Sequence, residues 1–176
     1  MAGKPDFTDH EWSTLLMSPT IAGMAITAAD PSGLWGTLKE AFAAGSALEA
    51  AKTDDSANDL IKSVAADLGG DKGLKTVTET LRESMAGVQP SEVVDWSLKR
   101  LREAARIVDA TAPQDAPAFK AWLASIAQGV AEASKEGGFL GFGGVQVSDT
   151  ERVTLTEIRK ALSLRDEADP PIPHSI

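Results

Sequence analysis

Between residues 94 and 108, apolar side chains recur at every third or fourth position. This spacing places one apolar face along an α-helix, whereas a strand would need apolar side chains at alternate positions. The positions are Val94, Leu98, Leu101, Ala105 and Val108. Alternation occurs clearly only at residues 145–147, which are too few to form a sheet. The chain is therefore predicted to be all-α.

Start and stop signals for helices divide the chain into a bundle of about seven. Thr8 and Glu11 form a capping box that opens the first helix, and Ser148 and Glu151 form a second box that opens the last one. The helices between them are predicted to begin at Ser32, Ser56, Asp71, Pro90 and Pro113. Most of the connections are two to six residues long, as in helix bundles.

Ser18–Pro19 is predicted to interrupt the first helix, because proline fits the first turn of a helix but breaks its interior. After this restart, one apolar face is expected through Ile21, Met24, Ala25 and Ala28. A chain of 176 residues suits one domain. We therefore predict a single helical domain over residues 1–164, followed by a C-terminal tail, residues 165–176, that contains three prolines.

Residues 21–36 align without a gap on residues 126–141, with five of the sixteen positions identical. Both segments run from a helix of small residues through a charged end and a glycine turn to an apolar pair. This shared order predicts a helix–loop–helix duplication, with two halves related by a pseudo-twofold axis.

Five of the eight residues from 137 to 144 are glycine, and the other three are Phe139, Leu140 and Phe142. These apolar side chains either plug the end of the bundle or form an exposed flap for a partner, a lipid or a small apolar ligand. Trp35 lies in the shorter counterpart, residues 33–36. The four side chains are the predicted partner-binding or ligand-binding residues.

Residues 126–164 resemble the TerB-like helical family, which is associated with tellurite resistance. The resemblance rests on a helix of small residues, a glycine loop, the Ser148–Glu151 cap and an Ile/Leu-rich helix. It implies an all-α domain whose acidic loop positions bind a divalent metal in stress or signalling complexes. The metal ligands implied here are Asp30, Glu136, Asp149 and Glu151. The chain departs from the family at the loop's Asp-Gly pair, which appears as Glu136–Gly137.

Two charged clusters have simpler explanations than a binding site. The first, before the third helix, lacks the glycine and glutamate of a calcium loop, so capping of that helix is the favoured role. It consists of Asp54, Asp55, Asn58 and Asp59. The second lies largely opposite the apolar seam of the fifth helix, as a solvated face does. It consists of Lys99, Arg100, Arg102 and Arg106.

Composition narrows the classes of function. The 26 acidic and 17 basic residues give a net charge of −9, which repels nucleic acid. There is no cysteine for a disulfide or a thiolate site, and His10 and His174 are the only histidines. The sequence shows neither a secretory leader nor a run of about 18 apolar residues, so a cytoplasmic location is predicted.

These features predict a non-enzymatic protein-interaction or scaffolding module that binds a protein partner or associates with itself. No cofactor is expected, and metal binding is expected to be absent or weak. The alternative, from the resemblance, is a metal-binding stress or signalling protein of TerB type. A small hydrolase has no supporting motif.

Overall fold

The computed structural model describes residues 2–29, 57–136 and 148–164. They form six α-helices: α1 (Asp9–Ala29), α2 (Asp59–Leu68), α3 (Asp71–Ser84), α4 (Val93–Thr111), α5 (Ala116–Glu136) and α6 (Asp149–Ala161). Short 3₁₀ turns at Lys4–Asp6 and Pro90–Glu92 precede α1 and α4. The described ranges contain no strand, so the predicted all-α fold is confirmed.

The described residues contain six α-helices, whereas the sequence predicts about seven. The predicted helix that begins at Ser32 lies outside the described residues, and so does the tail from residue 165. Both glycine turns of the predicted duplication also lie outside them, so the pseudo-twofold axis stays a prediction.

Both predicted capping boxes are present. The Thr8 amide donates to the Glu11 carboxylate at 2.9 Å, and the Glu11 amide donates to Thr8 Oγ1 at 3.3 Å. At the start of α6, the Ser148 amide donates to Glu151 at 2.8 Å, and the Glu151 amide donates to Ser148 Oγ at 3.2 Å. The hydrogen bond from the Thr8 amide also lowers the pKa of Glu11. Each box pairs amides that the first helical turn leaves without partners.

The predicted restart at Pro19 is wrong, because α1 runs unbroken through it. Proline has no N–H to donate to the carbonyl four residues earlier, which is that of Leu15. The Ser18 hydroxyl donates to this carbonyl instead, at 2.7 Å. The serine therefore supplies the hydrogen bond that the proline cannot make.

Helix α1 is the central element of the described fold. It contacts all five other α-helices. Its buried apolar side chains surround it and include Trp12, Leu15, Leu16, Met17, Ile21, Ala22, Ala25 and Ile26. The single face predicted for its second half is therefore too narrow. Ile21 and Ala25 are buried as expected, but Met24 and Ala28 are only half-buried.

Helices α2 and α3 follow one another through a tight junction. Asn58 caps α2, with its side-chain oxygen accepting from the Ile61 amide at 3.0 Å. The prediction had placed this cap two residues earlier, at Ser56. Gly73, in the first turn of α3, lies against the backbone of Asp67. A Cβ atom at Gly73 would lie 1.7 Å from the Asp67 carbonyl oxygen, so the junction requires glycine.

Asp67 also ties α2 to the start of the chain. Its Oδ2 accepts from Trp12 Nε1 at 3.0 Å and from Lys4 Nζ at 3.1 Å. Partial burial raises the pKa of the Asp67 carboxyl, but these hydrogen bonds and the Lys4 charge outweigh it, and the pKa is lowered. The carboxylate therefore joins three segments in its charged form.

Helices α4, α5 and α6 complete the bundle. The predicted seam of α4 is confirmed, since Leu98, Leu101, Ala105 and Val108 are buried and Val94 is half-buried. α4 contacts α1, α5 and α6, and α6 also contacts α1 and α5. Apolar side chains from α1, α2 and α3 and from α4, α5 and α6 belong to one hydrophobic core. The described helices therefore form a single domain.

Candidate functional site

The predicted partner-binding residues Phe139, Leu140, Phe142 and Trp35 lie outside the described residues, and so does Asp30. The alternatives of a buried plug and an exposed flap therefore stay open.

Two of the candidate metal ligands have described side chains, Glu151 and Asp149, and both are engaged in local contacts. Glu136 ends α5, and its backbone alone is described. The Glu151 side chain is buried and accepts hydrogen bonds from the Ser148 amide and hydroxyl, at 2.8 and 3.1 Å. The Asp149 side chain is 96% exposed and pairs with Arg152 at 2.9 Å. These carboxylates serve the start of α6.

No group of three histidine or carboxylate side chains that could hold a metal ion occurs in residues 2–29, 57–136 and 148–164. Asn58, from the acidic cluster before the third predicted helix, caps α2, which agrees with the capping role predicted for that cluster, although the cap residue itself was predicted to be Ser56. Asp59 lies in the first turn of α2, where a negative charge complements the helix dipole.

A groove with a volume of about 380 Å³ lies between α5 and α6. Residues 121–128 of α5 form one wall, and residues 155–164 form the other. The lining residues are Ala121, Ala124, Ser125, Gln128, Leu155, Ile158, Arg159 and Leu164. The groove is the candidate functional site of the described chain.

The shape of the groove follows from the residue types on its two walls. Ala121 and Ala124 have only a Cβ atom, so α5 does not fill the space in front of α6. On the opposite wall, Ile158 is fully buried, while Leu155 and Leu164 are half-buried. The groove therefore offers an apolar surface with small side chains on one side and branched side chains on the other.

Polar side chains border this apolar surface. Gln128 and Ser125 are exposed, and Gln128 Nε2 donates to Glu132 Oε1 at 2.8 Å. The Ser125 hydroxyl donates to the Trp122 carbonyl, also at 2.8 Å. An apolar centre with a polar rim is the usual arrangement of a protein–protein interface.

Sequence reasoning found one wall of the groove and missed the other. Leu155 and Ile158 belong to the Ile/Leu-rich helix that is predicted to follow the Ser148–Glu151 cap. The lining residues on α5 were given no role. The sequence does show that Ala121, Ala124 and Gln128 share one face of a helix, because they are three and four residues apart. That spacing does not show which helix they face.

Comparison of the chain with protein-family models gives no match, and comparisons with curated proteins and with solved structures give none either. The resemblance to the TerB-like family is therefore still a prediction. Among the described helices, none is both long and apolar enough to cross a membrane.

Proposed function

We propose that the protein is a non-enzymatic interaction module, and that the groove between α5 and α6 receives an apolar segment of a partner protein. The groove itself is the observation that carries this proposal. Its apolar walls are half-open to solvent, and its rim is polar. A helix of a partner could place side chains at i, i+3 and i+4 against these walls, as in other helix-in-groove complexes.

A small apolar ligand is the competing occupant. The volume of about 380 Å³ lies near the lower end of the range for small-molecule sites, roughly 300–1,000 Å³. Such sites enclose most of their ligand, whereas this groove is only partly enclosed and its lining residues Ala121, Ser125 and Gln128 are exposed. The open shape favours a protein segment.

Photo-crosslinking in the cells that make the protein tests the proposal. A photoreactive amino acid replaces Gln128 at the groove rim in one variant and exposed Thr76 on α3 in the other. We expect a distinct crosslinked protein from position 128 and none of it from position 76. The crosslinked protein is then identified, purified and titrated against the wild-type chain.

Two matched variants on α5 decide whether the groove is responsible. Ala121→Arg puts a charged side chain into the groove, whereas Ala118→Arg adds the same group at an exposed position outside its lining. We expect the first to weaken binding at least about tenfold and the second to leave it within about twofold. Equal affinities for the two variants would reject the groove. Protection of position 128 by a small apolar molecule would identify a ligand site instead.

A further inference from the structure

Three cationic side chains form one exposed row on α4. Lys99, Arg102 and Arg106 are three and four residues apart, so neighbouring Cβ atoms lie about 5–6 Å from each other. We call these three residues the cationic row. It extends over about 10 Å of the helix axis. Asp95, one turn before Lys99, makes no ion pair with it.

The other carboxylates within one turn of the cationic row are engaged elsewhere. Glu103 accepts from Arg100 Nη1 at 2.9 Å, and Asp109 accepts from Lys120 Nζ at 2.7 Å. Within the described ranges, none of the three cations of the row makes an ion pair. The row therefore presents three positive charges that make no direct ion pair within the described residues.

The packing of α4 holds the cationic row in place. Its other side carries Leu98, Leu101, Ala105 and Val108, all buried in the core. Arg100, beside the row, is held over the ring of Trp96, with its Cζ atom 5.5 Å from the ring centroid. Since these buried side chains hold the helix in the core, the backbone positions that carry the three side chains are fixed before any partner binds.

The charge of the whole chain narrows the chemistry of the partner. At a net charge of −9, the protein repels a long polyanion, and a nucleic-acid duplex carries one charge about every 1.7 Å. A short acidic helix carries few negative charges beyond those that contact the cationic row, so the net charge of the protein repels it less. With carboxylates at i, i+3 and i+7, it places them at the same spacing as the three cations.

We infer that the cationic row binds an acidic helical segment of a partner protein. This inference rests on the proposed function as an interaction module, because it names the chemistry of one partner. It uses a separate surface, since no residue of the row lines the groove between α5 and α6.

The test uses the full chain and a fluorescein-labelled, alanine-based helical peptide of about 20 residues with glutamates along one face. A second peptide of the same composition has its glutamates scattered around the helix. Fluorescence anisotropy is measured at about 50 mM and about 200 mM salt, which separates screened from unscreened charge interactions. A labelled single-stranded RNA with the same number of charges is titrated in parallel.

Two charge-matched variants provide the control. The row variant carries Lys99→Glu, Arg102→Glu and Arg106→Glu, and the control carries Lys72→Glu, Lys75→Glu and Arg82→Glu on α3. Both change the net charge equally, and circular dichroism checks that both fold. We expect the row variant to weaken binding of the one-faced peptide at least about tenfold and the control less than about threefold.

Four results would overturn the inference. Equal weakening by the two variants would show an effect of net charge alone. Absence of peptide binding to the wild type, or equal binding of the scattered peptide, would remove the acidic helix as the partner. Tighter binding of the RNA would assign the row to nucleic acid. Ala121→Arg should leave peptide binding unchanged. The proposal for the groove and the proposal for the cationic row can therefore be rejected independently.

Discussion

Helix α1 has a proline in its interior and is buried on nearly every side, whereas α3 has a regular amphipathic pattern and stays largely in water. In α3, Val77 is buried, Leu81 is half-buried and Leu74 is 51% exposed. In α1, Leu15 and Ile21 are almost completely buried. A clear apolar stripe therefore does not measure how much of a helix the fold buries.

The position of each helix explains the difference. α1 is surrounded by the other five helices, so apolar side chains are needed on all its sides. α3 contacts α2 and α1, so one narrow stripe is enough. The same residue types thus contribute differently to stability in the two helices.

The largest expected effect is a difference between two leucine substitutions. Leu15→Ala in α1 should cost about 2–5 kcal/mol of unfolding free energy, because the side chain is fully buried and a cavity remains. Leu74→Ala in α3 should change it by about 0.5 kcal/mol or less. Urea denaturation of both variants measures the difference. Similar costs for the two would mean that α3 is packed as tightly as α1.

The second-largest effect on stability is expected at Gly73, the glycine in the first turn of α3. Gly73→Ala would bring a Cβ atom to 1.7 Å from a backbone oxygen, so the α2–α3 junction must shift, at a cost of about 3 kcal/mol. Gly129→Ala in α5 is the matched control, because no atom lies within 4 Å of the added Cβ. It should stabilise the helix by roughly 0.5–1 kcal/mol. Thermal or urea unfolding gives both values, and opposite signs are the expected result.

The proline in α1 offers a double-mutant cycle. Ser18→Ala should cost about 1–2 kcal/mol, because the buried Leu15 carbonyl loses its donor. In a Pro19→Ala background, residue 19 regains an N–H for this carbonyl, so the same serine substitution should cost about 0.5 kcal/mol or less. Urea midpoints of the four proteins complete the cycle. An equal cost in both backgrounds would show that the serine does not compensate for the proline.

The smallest effect concerns Asp67, which links α2 to Trp12 of α1. Its pKa is lowered in the folded chain, so its contribution to stability is complete above the unfolded value of about 3.8 and is lost as pH falls through the folded value. The carboxylate is 40% exposed, so the contribution should be below about 1 kcal/mol. Asp67→Asn should be less stable than wild type at pH 7.

Acidification should make the unfolding free energies of wild type and Asp67→Asn approach each other. Because the other carboxyl groups are common to both, the difference between their urea midpoints isolates Asp67. This difference should shrink as the pH falls below about 4. A constant difference from pH 7 to pH 2 would contradict a lowered pKa.

Much of the fold could be predicted because helix signals act over three or four residues. The capping boxes at Thr8 and Ser148 need only one helical turn, and both are present. The α4 seam was predicted for the same reason. The cap of α2 was placed at Ser56 rather than Asn58, since two neighbouring polar residues offer similar local chemistry.

The candidate site was less predictable. The groove needs the small residues of α5 to face the branched residues of α6, which are about 35 positions further along the chain. Periodicity shows that a helix has faces but does not assign each face a neighbour. Glu151 shows that a local signal was present but was also assigned a second role. It is predicted both as part of the capping box and as a metal ligand, and in the structure it is buried and accepts the hydrogen bond of the cap.

The sequence by itself determined the all-α class, the starts of α1 and α6 and the buried side of α4, since each depends on contacts within a few residues. Tertiary structure decided that α1 is central and that α5 leaves a groove beside α6. It also left the three cations of the cationic row on α4 without an ion-pair partner among the described residues. These outcomes depend on which residues, distant in the sequence, pack against each other, and this packing sets the free energy of burial.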